Sequence, residues 1–521
     1  MTVKTHDSTG LYSRRWQALI VLAISLLIVT VDNTILNVAL PSIQAELDTS
    51  SSELQWIVDS YLLVFAVLLL MAGSLGDRFG RKRALFVGLG IFGFGSLMAA
   101  TAGSSTELIA WRAVMGVGAA AIMPTTLSII TNIFPKDERP KAIAIWAAMA
   151  GMGIAIGPVT GGFLIEHFDW NAIFLVNLPI VAIGIAAGAV LIPESRDPES
   201  PRLDLPGFGL SIAGLTAIVW ALIEAPEKGW TSAPILAAFV VGAAIVAAFV
   251  AWELRAKQPM LDVSVFRNLR FSAANVAVTF VFFALMGVMY FLTTYLQSVM
   301  GYTALEAGVR MVPIALGVIL AARLSVALTA RLGTKVVVAA GLAVVGISLG
   351  AFTAVDADTE YMTKVAGALT FMGVGMGLSM APATDSIMGS LPTAKAGIGS
   401  AMNDVVRELG GTLGVAVLGS IVSTSYGASM DDATAELPHG AAEAASDSVA
   451  GAHEVAAQMS TGTAEFIAVA DQAFIDAMTT AASVAAVVAL IGALVAAAFL
   501  PSRARTEPQP VEAAVPEPAL A

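Results

Sequence analysis

Two small sets of charged residues lie within stretches that otherwise carry almost no charge. Asp32, Asp59 and Arg112 fall on three separate apolar runs. Asp32 precedes Pro41 by nine residues, a depth of roughly 13 Å at about 1.5 Å per helical residue, and Arg112 and Asp59 come out at comparable, somewhat shallower depths. The three can therefore meet. Charge in an apolar surround is costly and marks function by default. Asp32 is expected to be the main site of protonation, with Arg112 and burial acting oppositely on its proton affinity and Asp59 drawing in a cation or relaying protons. The competing roles are a static Asp32–Arg112 tie between helices and a solvated helix end for Asp59.

The second set is Asp404, Arg407 and Glu408. Positions i, i+3 and i+4 share one helix face, so Arg407 can neutralise one acid and leave the other for a substrate cation or a second proton. A neutral packing triad would use the same residues. Trp146, Met286 and Tyr290 suit promiscuous binding of organic cations if they reach a cavity; packing against lipid is the alternative for each.

These residues must be held by membrane helices. The chain has 521 residues, 57% hydrophobic and 13% charged, against roughly 25% charged in soluble domains. It contains no Cys, which excludes disulfides, thiolate metal sites, iron–sulfur clusters and thiol nucleophiles. Its four His (His6, His167, His439 and His453) fall outside the apolar runs, so a proton crossing the membrane must use carboxylates. The net charge of −12 excludes the basic surface a nucleic-acid partner needs.

A spanning helix needs about 20 apolar residues. On that measure fourteen spans are expected near 17–39, 54–74, 84–104, 107–131, 141–165, 172–192, 205–224, 233–253, 271–295, 305–328, 335–355, 364–388, 397–422 and 476–499. If the N-terminus is cytoplasmic, 21 of the 27 Lys and Arg lie on the cytoplasmic side, as the positive-inside rule requires; both termini are then cytoplasmic.

Comparison of the chain with itself at an offset of 253 superposes Arg78, Gly80 and Lys82 on Arg331, Gly333 and Lys335 and brings the first six spans onto the last six. Duplicated halves of this kind are common in transporters. The expected organisation is a six-helix bundle over 1–192, a linker with an inserted helix pair over 193–270, a second six-helix bundle over 271–500, and a disordered cytoplasmic tail over 501–521. The outer segment 423–475 holds eight acids and no Lys or Arg, and is expected to be a solvated cap.

Four motifs can be named. Gly73-Ser74-Leu75-Gly76-Asp77-Arg78-Phe79-Gly80-Arg81-Lys82-Arg83 follows the second span; its glycines permit a tight turn and its charges can pair with helix ends. It resembles the signature loop of the major facilitator superfamily. Leu108–Ala120, with Arg112, Gly116 and Gly118, is similar to that superfamily's fourth-helix motif. The stretch from Gly153 to Gly162, with Gly157, Pro158 and Gly161, resembles its exporter-type fifth-helix motif, although glycines spaced by four equally serve close helix packing. The stretches 31–41 and 174–179 resemble the fourteen-span drug:proton antiporter branch.

The resemblance implies an all-α membrane fold of two six-helix bundles rocking about a central cavity, in the inner membrane of a bacterium. It implies export of lipophilic, often cationic drugs, dyes and antiseptics in exchange for protons, with Gly73, Gly76, Asp77, Arg78, Gly80 and Arg81 in a gating loop. The partners would be lipophilic small molecules, protons and membrane lipid, the driving force the proton gradient with no cofactor or metal, and the chain a monomer. Export of one endogenous product is the nearest alternative, and an uptake symporter a more distant one. No nucleotide loop, metal-ligand cluster or Ser/His/Asp set points to an enzyme. Ala330 stands where the repeat would place a second Asp77.

Overall fold

The computed structural model describes residues 11–47, 49, 51–196, 203–356, 359–459 and 462–501. The expected tail, from 502 onward, lies outside them, as does part of the linker. Among the described residues fourteen helices are long and apolar enough to cross a membrane. In chain order they are α1 Arg15–Leu47, α2 Ser51–Phe79, α3 Arg81–Ala99, α4 Ser105–Ile133, α5 Arg139–His167, α6 Ala172–Leu191 and α7 Leu205–Lys228. Then follow α8 Ala233–Glu253, α9 Leu269–Val299, α10 Leu305–Leu332, α11 Thr334–Ala354, α12 Tyr361–Met388, α13 Ala396–Thr434 and α14 Thr463–Phe499. Helices are the expected solution, since a spanning backbone must satisfy its own hydrogen bonds. Every one of the fourteen expected spans is present; most ends shift by a few residues, while α1, α13 and α14 run on to Leu47, to Thr434 and from Thr463.

The helices form two six-membered sets, α1–α6 and α9–α14, that pack by one scheme. In the first set α1 lies on α5, and α4 on both α2 and α3. In the second α9 lies on α13, and α12 on both α10 and α11. Two turns repeat as well: Gly80 and Gly333, each between the second and third helices of its set, have φ of 117° and 84°, a region that glycine enters without a Cβ penalty.

The seam between the sets is formed by α2 and α4 against α13, and by α5 against α10 and α12. The inserted pair packs mainly on itself. α7 also touches both α2 and α13, straddling the seam, and the Trp230 indole N–H donates to Ser420 Oγ of α13 at 2.9 Å.

The acidic segment departs from the expectation of a solvated loop. α13 continues to Thr434, α14 begins at Thr463, and two short helices, His439–Asp447 and Val449–Gln458, fold between them. Tyr426, Met430, Ala445, Val449, Ala452, Ala456 and Ala470 join the core of the second set. Alanines at helical spacing make a small apolar face on which the acids are carried outward, so the segment is charged yet packed. His453 Nε2 and Asp471 Oδ1, 2.8 Å apart, tie the second short helix to α14.

Candidate functional site

The pair at the centre of the first charged set is enclosed by helices of the first bundle. Asp32 of α1 and Arg112 of α4 are each 1% exposed, and Arg112 Nη1 lies 2.5 Å from Asp32 Oδ2. The other carboxylate oxygen, Oδ1, accepts from Asn177 Nδ2 at 3.1 Å. The same Asn177 amide reaches Ser96 Oγ at 3.0 Å, and that hydroxyl donates to the Phe174 carbonyl at 2.8 Å. Arg112 Nε donates to the Ile57 carbonyl at 3.1 Å, and the guanidinium lies 4.3 Å from the centroid of the Tyr61 ring. A desolvated pair persists only when its remaining hydrogen-bonding capacity is also used, and here the carboxylate uses both oxygens. Asp59 is half-buried on α2, two residues from the Ile57 whose carbonyl Arg112 binds. The depth arithmetic brings Asp32 and Arg112 together.

The second set lies on α13 at the seam. Asp404 and Arg407 are buried, with Arg407 Nη1 3.5 Å from Asp404 Oδ1. Asn403 Nδ2 donates to the same Asp404 oxygen at 3.2 Å, and Thr384 Oγ1 donates to Asn403 Oδ1 at 3.1 Å. Among the described residues Asp404 Oδ2 and Arg407 Nε have no hydrogen-bond partner. The Arg407 guanidinium lies between two rings from opposite sets, 5.3 Å from the Trp146 centroid on α5 and 4.5 Å from that of Phe282 on α9. Glu408, half-buried, has no hydrogen bond or ion pair among the described residues. Arg407 therefore pairs with one acid and leaves the other spare, as the i, i+3, i+4 spacing implied.

Trp146 itself is 0% exposed, its indole N–H donating to Thr126 Oγ1 at 3.1 Å. In this conformation it presents no surface to a ligand, and its ring lies against the Arg407 guanidinium. Met286 is half-buried against Gly411, and Tyr290 is 52% exposed with its ring against Gly419.

The signature loop joins the two sets. Asp77 accepts from the backbone N–H of Gly397 at 2.9 Å and of Ile398 at 3.2 Å, so a carboxylate from α2 caps the first turn of α13. Anionic groups favour that helix end. Arg81 Nε donates to Asp77 Oδ1 at 2.8 Å, and its Nη2 donates to the Thr393 carbonyl at 3.0 Å. A Cβ on Gly73 would stand 2.5 Å from the Gly397 carbonyl oxygen, so the glycine lets the two helices close. Gly76 fits beside Thr125, Gly80 beside Glu194, and Arg78 lies over the ring of Phe79 at 5.4 Å. On α5, Gly153 and Gly157 face Thr30 and Thr34 of α1, Gly161 faces Ile35, and Gly162 and Pro158 face Leu305 and Gly308 of α10. The exporter-type stretch thus packs against both sets at once.

Sequence reasoning missed Asn177, Ser96 and Tyr61. Asn177 had a signal, since it sits in a stretch already singled out (174–179), but its reach to Asp32 depends on how α6 is rotated. The Tyr61 hydroxyl is buried without a partner.

A bundle of fourteen apolar helices in two repeated sets, with buried carboxylates and an Arg at the seam, defines a multi-pass membrane transporter. The Major Facilitator Superfamily model matches residues 22–415, and the chain belongs to that family. It is 37% identical over 495 residues to the multidrug efflux pump LfrA of Mycolicibacterium smegmatis, covering 94% of this chain and 97% of that one. To the tetracenomycin C resistance and export protein of Streptomyces glaucescens it is 32% identical over 517 residues, with 95% of each covered. Among solved structures, the proton:xylose symporter XylE shares the fold at a TM-score of 0.61, with 13% identity over 94% of this chain and 96% of that one.

Proposed function

We propose that this chain exports lipophilic, cationic drugs, dyes and antiseptics in exchange for protons, by alternating access, with the face that bears Arg81 and Arg139 cytoplasmic. The observation that carries the reading is the unpaired Glu408 beside an Arg407 held between Trp146 and Phe282, on the helix that Asp77 caps. A half-buried acid with no protein partner can hold either a proton or an organic cation, and exclusion of one by the other is the chemistry of antiport. Asp32 remains the main proton site of the proposal, with Glu408 the second. A proton on Asp32 replaces Arg112 as its partner and frees the guanidinium, which loosens α1 from α4. Relatives whose names record multidrug efflux and drug export support the direction of transport.

Export of a single endogenous product keeps the same machinery, and the antibiotic-export name of the Streptomyces relative favours it as the second reading. Both are tested with purified protein in liposomes under an imposed proton gradient, following ethidium and internal pH together, with Asp32→Asn and Glu408→Gln alongside. Opposed movement of dye and protons that both substitutions abolish supports the proposal. Proton movement with no dye among a broad panel favours the dedicated exporter.

A further inference from the structure

The inserted helix pair carries two buried acids of its own, remote in sequence from both central sets. Asp204 caps the start of α7 and is 8% exposed; Glu253 ends α8 and is 3% exposed. Asp204 Oδ1 accepts from Gly207 N–H at 2.9 Å and from the Trp252 indole N–H at 2.8 Å. Glu253 Oε2 accepts from Leu261 N–H at 3.1 Å, while Glu253 Oε1 has no partner. That oxygen and the second Asp204 oxygen border one space: the point where a Cβ on Gly207 would stand is 2.6 Å from Glu253 Oε1 and 2.7 Å from Asp204 Oδ2. Only glycine leaves this space for two carboxylates above one helix end.

Among the described residues no basic group pairs with either acid. Among the described residues Asp204 is the charged group that acts on Glu253; Trp252, Met260 and Leu261 are neutral, Arg255 and Lys257 are exposed, and Asp262 is turned to Ser264. Two like charges this close, shielded from water, do not both ionise. The N-terminus of α7 favours one negative charge through its dipole, which leaves the second acid to carry a proton and to donate it in a carboxyl–carboxylate hydrogen bond. Such a bond gives the orphaned Glu253 oxygen the partner it lacks.

We propose that Asp204 and Glu253 form a proton-binding site, holding one shared proton that ties both inserted helices to the linker at Leu261. Phe208, Phe249, Met260 and Leu261 belong to the core of the first helix set, and the linker runs on to α9, the first helix of the second. The bound proton therefore fastens the joint through which one set is covalently joined to the other. When it leaves, two facing carboxylates repel and the joint loosens.

The test uses the full chain in detergent, comparing wild type with Glu253→Gln and Asp204→Asn by infrared difference spectra of protonated carboxyls and by thermal unfolding from about pH 6 to about pH 9. A proton bound in the folded state and lost on unfolding stabilises at low pH, and that stabilisation disappears as pH rises through the folded-state pKa. Wild type is expected to lose unfolding temperature towards the alkaline end more steeply than either variant and to show one protonated-carboxyl band that each variant lacks. The Gln amide can donate as the protonated acid does, so Glu253→Gln should fold; Asp204→Asn retains a capping oxygen and provides the second readout. Variants that keep the wild-type pH slope and the band would overturn the proposal. So would a sodium-dependent rise in wild-type unfolding temperature at fixed pH, which would place an alkali cation between the two acids.

Discussion

Asp77 and Gly397 are far apart in the chain, yet the carboxylate of the first receives the backbone N–H of the second at 2.9 Å, with both oxygens in reach. The bond crosses from one helix set to the other and ends on a helix N-terminus, where a negative charge is best placed. It holds one face of the seam shut.

Asp77→Asn should open that face. A hydrogen bond to a charged group contributes about 1.5–3 kcal/mol, so its loss is expected to shift the balance between closed and open forms by roughly tenfold or more. The native chain has no Cys, so a single Cys at the buried Ser400 reports the change by its labelling rate; an unchanged rate would mean that Asp77 does not latch the seam.

Gly157→Ala places a methyl group against the Thr34 side chain and Ile35 backbone of α1. A clash of this kind costs about 1–3 kcal/mol. Thermal unfolding should fall in Gly157→Ala and stay near wild type in Gly90→Ala, where nothing lies within 4 Å of the added carbon.

Removing one partner of a buried ion pair costs about 3–5 kcal/mol, whereas replacing both with apolar groups is often neutral. Arg112→Met is therefore expected to be the more damaging single change at this pair, since it strands the Asp32 charge. The double variant Asp32→Leu/Arg112→Met should recover unfolding temperature without recovering transport. Recovery of both would reduce the pair to a structural tie.

Glu408→Gln breaks no hydrogen bond or ion pair among the described residues, and its effect on stability should stay below about 1 kcal/mol. Dye efflux and proton uptake should both be lost, in contrast with Asp404→Asn, which also removes a partner of Arg407. Normal coupled efflux by Glu408→Gln would move the exchange site elsewhere.

Arg15 grips Glu138 through two contacts, Nε to Oε2 at 2.7 Å and Nη2 to Oε1 at 2.8 Å. The hydrogen bond from Arg15 holds the Glu138 carboxyl below its usual range. A depressed carboxylate contributes stability above its unfolded pKa and loses it as pH falls through the folded one. Glu138→Gln should therefore match wild type in strong acid and fall behind it only towards neutral pH, a difference read from unfolding temperature across the acid limb.

The spans were legible because each is a run nearly free of charge, and the pairing of Asp32 with Arg112 because rise per residue converts sequence position to depth. Glu408 was legible as one of two acids flanking Arg407, though spacing alone could not say which would pair. Rotation about the helix axis was not legible, which is why Asn177 and Tyr61 escaped notice and why Trp146, a natural cavity aromatic, proves to be buried. The cap was read as a loop because Ala, Ser, Gly and Asp give weak hydrophobic contrast. Its order comes from α13 and α14, which run past the membrane and offer the short helices something to pack on.

α13 has 39 residues, about 58 Å at 1.5 Å per residue, against a hydrocarbon thickness of roughly 30 Å. With α14 and the two short helices it raises a packed helical knob at one end of the bundle. Its outward acids give that end of the protein a raised, negatively charged surface, an epitope for a binder that stands clear of the apolar belt.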